Sequence, residues 1–118
     1  MKSEAKGIKR LWFASKYSWQ GLKAGLRTEA ALRQEVLAIL VLLPVAMLVN
    51  VTAAERALLV FSLLFVFIIE LLNTAVEVVV DRVGNDYHQL SGKAKDLASA
   101  AVLFSLISAA TVWGIILC

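Results

Sequence analysis

Four polar side chains, Glu70, Asn73, Glu77 and Asp81, stand at offsets 0, 3, 7 and 11 in the stretch ELLNTAVEVVVDR. On a helix turning about 100° per residue they share an arc of about 80° on one face. Residues 57–69 before them are apolar apart from Ser62, and no turn signal intervenes before Gly84-Asn85. The row therefore belongs to a helix that is crossing apolar surroundings. An ionised acid at mid-bilayer costs about 2.5–3.5 kcal/mol on insertion scales. A bound cation, a base from another helix or water in a cleft has to offset that cost. Asp81, and to a degree Glu77, can be housed in the headgroup zone. Glu70 is harder to place there, being 12 residues, or about 18 Å, from Arg82. Asn73 either joins this site or glues helices together, as membrane amides often do.

Two further acids reach the same level. Glu29 lies between an amphipathic segment and the first apolar run, and Asp96 opens the last apolar run beside Lys95. Both also suit ordinary helix N-terminal acids, favoured by the helix dipole. Carboxylates clustered with one or two lysines are the hardware of Mg²⁺ and phosphate chemistry. Hard cations take oxygen ligands, and Mg²⁺ is commonly held by one or two carboxylates plus substrate phosphates. The single histidine, His88, stands in a polar loop and makes no metal site by itself. Ser99, Ser105 and Ser108 have no histidine near them in sequence and read as small packing residues. The glycines form neither a Walker-type phosphate loop nor a dinucleotide-binding GxGxxG. The residues alone thus give an acidic intramembrane site near one bilayer boundary, binding a divalent cation. An enzyme acting on lipid and a proton-coupled or cation-conducting protein both remain open.

The elements that must position this row follow from composition and pattern. The chain has 118 residues, 60% of them hydrophobic, and a mean hydropathy of +0.79. A soluble protein this short cannot hide so much apolar surface, whereas a bilayer is itself an apolar solvent. In residues 7–27, Ile8, Leu11, Trp12, Trp19, Leu22 and Leu26 fall on one helical face, with Lys9, Arg10, Lys16, Lys23 and Arg27 on the other. Two tryptophans on the apolar face suit a helix lying in the membrane interface. Residues 36–54 are uncharged and just long enough to span, with Pro44 expected to kink them locally. Residues 50–55 read as a turn, in which Thr52 and Glu55 form a capping box for the next helix. Residues 84–92 read as a polar loop, with Ser91 available to cap a last helix, and Trp113 suits an interfacial position near that helix's outer end. The expected fold is an all-α membrane protein of one domain, residues 1–118. It comprises an interfacial helix over 7–27 and three transmembrane helices over 34–50, 53–83 and 93–117.

Charge sets the orientation. Residues 1–33 hold eight bases and two acids, a net +6, and the remainder is −3. Arg82, Lys93 and Lys95 flank the second loop, whereas the 50–56 turn has only Arg56. The positive-inside rule places the N-terminus and the second loop in the cytoplasm. A basic end beside apolar segments points to anionic lipid, and no nucleic-acid motif is present. The lone Cys118 forms no internal disulfide. No cleavable signal peptide is expected, because the first apolar run starts at Val36 after an overlong basic stretch. No lipidation motif is evident.

The stretches ELLNTAVEVVVDRV and DYHQLSGKAKDLASAAV, with YSWQGLKAGL and EAALRQE upstream, closely resemble the prokaryotic integral-membrane diacylglycerol kinase family. The resemblance covers about residues 7–118. It implies a homotrimer in the bacterial cytoplasmic membrane, with each site between subunits at the cytoplasmic interface. It implies phosphoryl transfer from MgATP to the hydroxyl of diacylglycerol, giving phosphatidic acid. Carried over residue by residue, Glu70 is the expected general base, with Asn73 positioning the reacting groups. Glu29 and Glu77 are the expected carboxylates for divalent cations bridging the ATP phosphates. Arg10, Tyr17, Asp86, Tyr87, His88, Lys95 and Asp96 match nucleotide-contacting positions. Ala14, Trp19 and Ser99 match positions on the lipid side, together with Glu70. Relatives of the same architecture phosphorylate undecaprenol, which is the competing acceptor. A small proton-coupled transporter is the competing class, although a relay needs one or two deep carboxylates rather than a cluster toward one end.

Overall fold

The computed structural model describes residues 6–84 and 88–118. Asp86 and Tyr87, both expected at the nucleotide, lie outside the described residues. Four helices follow in order: α1 (Ile8–Thr28), α2 (Ala30–Leu48), α3 (Ala53–Val83) and α4 (Gln89–Leu117).

Helix α1 starts after Gly7, whose φ of +66° suits glycine because it carries no Cβ. It ends at Glu29, which is extended at φ −115° and ψ 116° and turns the chain into α2. Two contacts fix this corner. Arg33 Nη1 donates to the carbonyl oxygens of Leu26 at 2.8 Å and Arg27 at 3.2 Å, groups that a helix end otherwise leaves unpaired. Leu32 is fully buried, and Gly25 lets it approach: a Cβ on Gly25 would stand 2.8 Å from Leu32 Cδ1.

Helix α2 runs through Pro44 without a break. Its last carbonyls, on Ala46 and Met47, accept from Arg56 Nη1 at 2.7 and 2.8 Å. The capping box of α3 forms as the sequence predicts. Thr52 Oγ1 accepts from the Glu55 N–H at 3.1 Å, and Glu55 Oε1 accepts from the Thr52 N–H at 2.9 Å. Helix α3 then continues through Glu70 and Glu77 to Val83 with no interruption. Its 31 residues are about 46 Å long, against a hydrocarbon core of about 30 Å. About ten residues therefore reach beyond the hydrocarbon, enough to take Glu77, Asp81 and Arg82 out of it at one end but not Glu70.

Helix α4 begins before the expected Ser91 cap, inside the segment read as loop. Its cap is His88, which is extended and whose Nδ1 accepts the Leu90 N–H at 3.0 Å. Ser91 lies within the first turn. Helices α2, α3 and α4 are each long and apolar enough to cross a membrane. Many of their large side chains, such as Leu40 and Phe104, stay exposed on the single chain.

Helix α3 is the hub, packing against both α4 and α2. Its buried residues, Leu59, Ser62, Leu63 and Val66, recur at steps of three and four and form one stripe. Trp113, near the end of α4, turns toward α3. Its Nε1–H donates to Ser62 Oγ at 2.9 Å, and that hydroxyl donates in turn to the Leu59 carbonyl at 2.8 Å. A part-buried indole N–H needs an acceptor, and the serine in the apolar run supplies one. Trp113→Phe should lower stability by about 0.6 kcal/mol, the mean for such membrane hydrogen bonds, in reversible unfolding from mixed micelles.

Candidate functional site

The buried stripe of α3 does not stop at Val66. The same steps of three and four carry it onto Glu70, Asn73 and Glu77. The face that packs as apolar core in one half of the helix becomes acidic in the other. Glu70, Asn73 and Glu77 are half-buried, whereas Asp81 is exposed. Asn73 Oδ1 is buried and has no hydrogen-bond partner among the described protein groups. Buried polar atoms are nearly always satisfied, so this unpaired acceptor marks Asn73 out from the rest of the face.

Neighbouring helices bring further groups to the same level. Lys95 Nζ lies 3.0 Å from Asp81 Oδ1, pairing the start of α4 with the end of α3. The Trp113–Ser62 pair lies near the opposite end. Residue numbers in these two pairs have the same sum to within one, so α3 and α4 run antiparallel without slippage. That register sets Ser99 level with Glu77, and Asp96 about one turn nearer the loop. On the other flank, Leu32 of α2 shares a cleft of about 560 Å³ with Leu71, Thr74, Ala75 and Val78 of α3. Glu29, one turn before Leu32, is thereby level with the turn that carries Glu77.

One acid escaped sequence reasoning. Glu35 of α2 is half-buried and close enough to Glu70 for the two carboxylates to repel, as Glu70 and Glu77 do. Spacing within a single helix cannot reveal a contact between helices. The only signal was its place as the last charge before the apolar run at Val36.

Other expected residues are not joined to the row. Arg10, Ala14 and Tyr17 share one side of α1, but Trp19 lies on the opposite side. Among the described residues, no hydrogen bond or ion pair links Arg10, Tyr17, Glu29, Glu77, Asp96 or Ser99 to another expected site residue. His88 is occupied as the cap of α4 through Nδ1. Nor do three or more described Asp, Glu, His or Cys side chains converge into a group able to hold a metal ion.

Chemically, the row is a set of mutually repelling oxygen donors at the edge of the hydrocarbon. It can take up a proton, or be neutralised by a hard cation held by one or two carboxylates at a time. That sparse protein ligation is what Mg²⁺ uses when phosphates complete its shell. Asp81 holds the Lys95 ammonium at the same level, but both are substantially exposed, at 67% and 45%. Such pairs contribute little to stability. Asp81→Asn should therefore change unfolding free energy by less than about 1 kcal/mol in micelle unfolding experiments.

Comparison with known proteins bears directly on this arrangement. The family model for prokaryotic diacylglycerol kinase matches residues 16–117. The diacylglycerol kinase of Escherichia coli K12 is 47% identical over 117 residues, covering 99% of this chain and 96% of that protein. The Pseudomonas aeruginosa diacylglycerol kinase is 47% identical over 111 residues, covering 94% and 90%. The Haemophilus influenzae diacylglycerol kinase is 44% identical over 111 residues, covering 94% of each chain. A three-span helical chain with an acidic row on its central helix, matched along nearly its full length at this identity, belongs to the prokaryotic diacylglycerol kinase family.

Proposed function

We propose that this protein is a membrane lipid kinase that transfers the γ-phosphoryl group of ATP to the free hydroxyl of diacylglycerol, giving phosphatidic acid. The observation that carries the site assignment is the buried face of α3 turning into Glu70, Asn73 and Glu77 where α3 leaves the hydrocarbon. A diacylglycerol presents its hydroxyl at that same boundary, with its acyl chains in the bilayer. The curated relatives matched over most of their length are named diacylglycerol kinases.

In this reading the lipid hydroxyl oxygen bonds to the γ-phosphorus as the bond to the β–γ bridging oxygen breaks. ADP leaves, and the hydroxyl proton passes to the Glu70 carboxylate. Asn73 orients the reacting groups. Lys95, kept at the right level by Asp81, meets the ATP phosphates together with Arg10, with Tyr17, His88 and Asp96 on the nucleotide side. Asp86 and Tyr87 complete that side in the proposal. Ala14, Trp19 and Ser99 face the lipid.

The oxygen donors suit Mg²⁺, which Glu29 and Glu77 would hold. Held there, the ion would supply charge neutralisation for the transferring phosphoryl group. Phosphoryl transfer needs mostly positioning and charge neutralisation, so a site of few carboxylates and bases suffices. The donors spread over several helices of one chain support a site completed by neighbouring subunits in a homotrimer. The base-rich N-terminus and second loop support a cytoplasmic placement of the site, in the bacterial inner membrane.

The test is Mg²⁺-dependent transfer of labelled γ-phosphate by purified protein in lipid-supplemented micelles, with diacylglycerol and undecaprenol offered in parallel. Label in phosphatidic acid is expected. Label only in undecaprenyl phosphate would replace the acceptor, and label in neither would remove the kinase reading. Glu77→Gln should raise the Mg²⁺ concentration needed for half-maximal transfer by tenfold or more, on the order of the loss expected when a metal's carboxylate support is removed.

A further inference from the structure

Helix α1 carries a feature that the kinase reading leaves unused. Lys9, Lys16 and Lys23 recur every seven residues, and Arg27 follows four later. On the helix these four bases fall within an arc of about 40°, each lysine about 10 Å from the next. Trp12 and Trp19 border this stripe on its apolar side. Lys16 Nζ lies 5.5 Å from the Trp12 ring centroid, and Lys23 Nζ lies 5.8 Å from that of Trp19. These are cation–π distances. The motif is one Trp–Lys pair repeated two turns along.

Nothing among the described residues answers this charge. Helix α1 contains no acidic residue and buries none of its side chains. The single ion pair among the described residues, Lys95–Asp81, is elsewhere. The stripe is also about a quarter turn or more from Arg10 and Tyr17, so it is not the face proposed for the nucleotide. The corner at Glu29 ties α1 directly to a helix able to cross the membrane, which keeps α1 at the bilayer surface. Both tryptophans are 59% exposed on the chain, as rings placed among lipids would be.

We infer that the Lys9–Lys16–Lys23–Arg27 stripe, with Trp12 and Trp19, is a seat for the headgroups of anionic phospholipids. The rings lie at the level of the glycerol backbones, and the lysine heads held over them meet lipid phosphates. A zwitterionic headgroup carries its own cation and gains less from this stripe. Each lysine near an anionic surface favours binding by about fivefold. The four bases and Trp12 have no role in the kinase reading, which shares only Trp19 with this seat, and the seat needs no ATP.

The experiment uses the full-length protein in vesicles, without nucleotide. Tryptophan fluorescence is quenched with brominated phosphatidylglycerol or brominated phosphatidylcholine at equal mole fractions. Wild type should show a several-fold preference for the anionic lipid, weakened by high salt. Lys16→Gln/Lys23→Gln should bring the two lipids to parity while circular dichroism shows the helices intact. Arg10→Gln, which removes charge from the other face, should keep the preference. Equal quenching by both lipids in wild type would overturn the seat. Equal loss of preference in Arg10→Gln would overturn it too, reducing the effect to net charge.

Discussion

Glu70→Gln should lower kcat by about 10²–10⁴-fold, the range for loss of a general base, while leaving the protein folded. The substitution keeps the size and planarity of the side chain. Its amide can still hydrogen-bond a lipid hydroxyl but cannot take the proton. It also removes one member of the repelling series Glu35, Glu70 and Glu77. Relief of that repulsion should leave micelle-unfolding stability equal to or above wild type, so lost turnover could not be blamed on lost structure. The ATP KM should stay within a few fold, because Glu70 is assigned to the acceptor and not to the nucleotide. Turnover near wild type from well-folded Glu70→Gln would remove the base assignment. Glu35→Gln tests the neighbour: its carboxylate is on α2 and should act on Glu70 by charge, so its effect on kcat should be far smaller.

The part of the site on α3 was legible because one helix carries it. No stop signal lies between Ala54 and Gly84, so spacing alone put Glu70, Asn73 and Glu77 on one face, and α3 is continuous there. The Thr52–Glu55 box was legible for the same reason, being a contact over three residues. What spacing could not reach were contacts between helices. Trp113 meets Ser62 across 51 residues, a contact that spacing within α4 cannot reveal. Glu35 acts on Glu70 by charge from a different helix. The start of α4 was misplaced for a different reason: histidine is not among the favoured N-cap residues, so Ser91 was the natural choice. The roles given to individual residues came from family resemblance. Geometry supplies the common level of Glu29, Glu77 and Ser99, and the unpaired acceptor on Asn73.

Asn73→Leu separates a working amide from a structural one, and the two readings demand opposite signs. If Asn73 glued helices, its loss should destabilise the fold by about 0.6–2 kcal/mol, the range for membrane amide hydrogen bonds. Yet its Oδ1 is buried without a partner among the described groups, and an unmet buried acceptor is itself a cost of about 1–3 kcal/mol. Leucine keeps the branched heavy-atom outline, though it is bulkier, and has no polar atom to satisfy. Stability in reversible micelle unfolding should therefore hold steady or rise. Catalysis should move the other way, with kcat down by about 10²-fold or more, as when a preorganised donor or acceptor at a reacting centre is removed. Asn73→Asp keeps the acceptor but adds a fourth carboxylate near Glu35, Glu70 and Glu77, so it should rescue little and should be the less stable of the two variants. A stable, inactive leucine variant would mean that this polar atom is kept for the reaction and not for the fold. A destabilised variant that still turns over would return Asn73 to helix packing and leave Glu70 and Glu77 to carry the site.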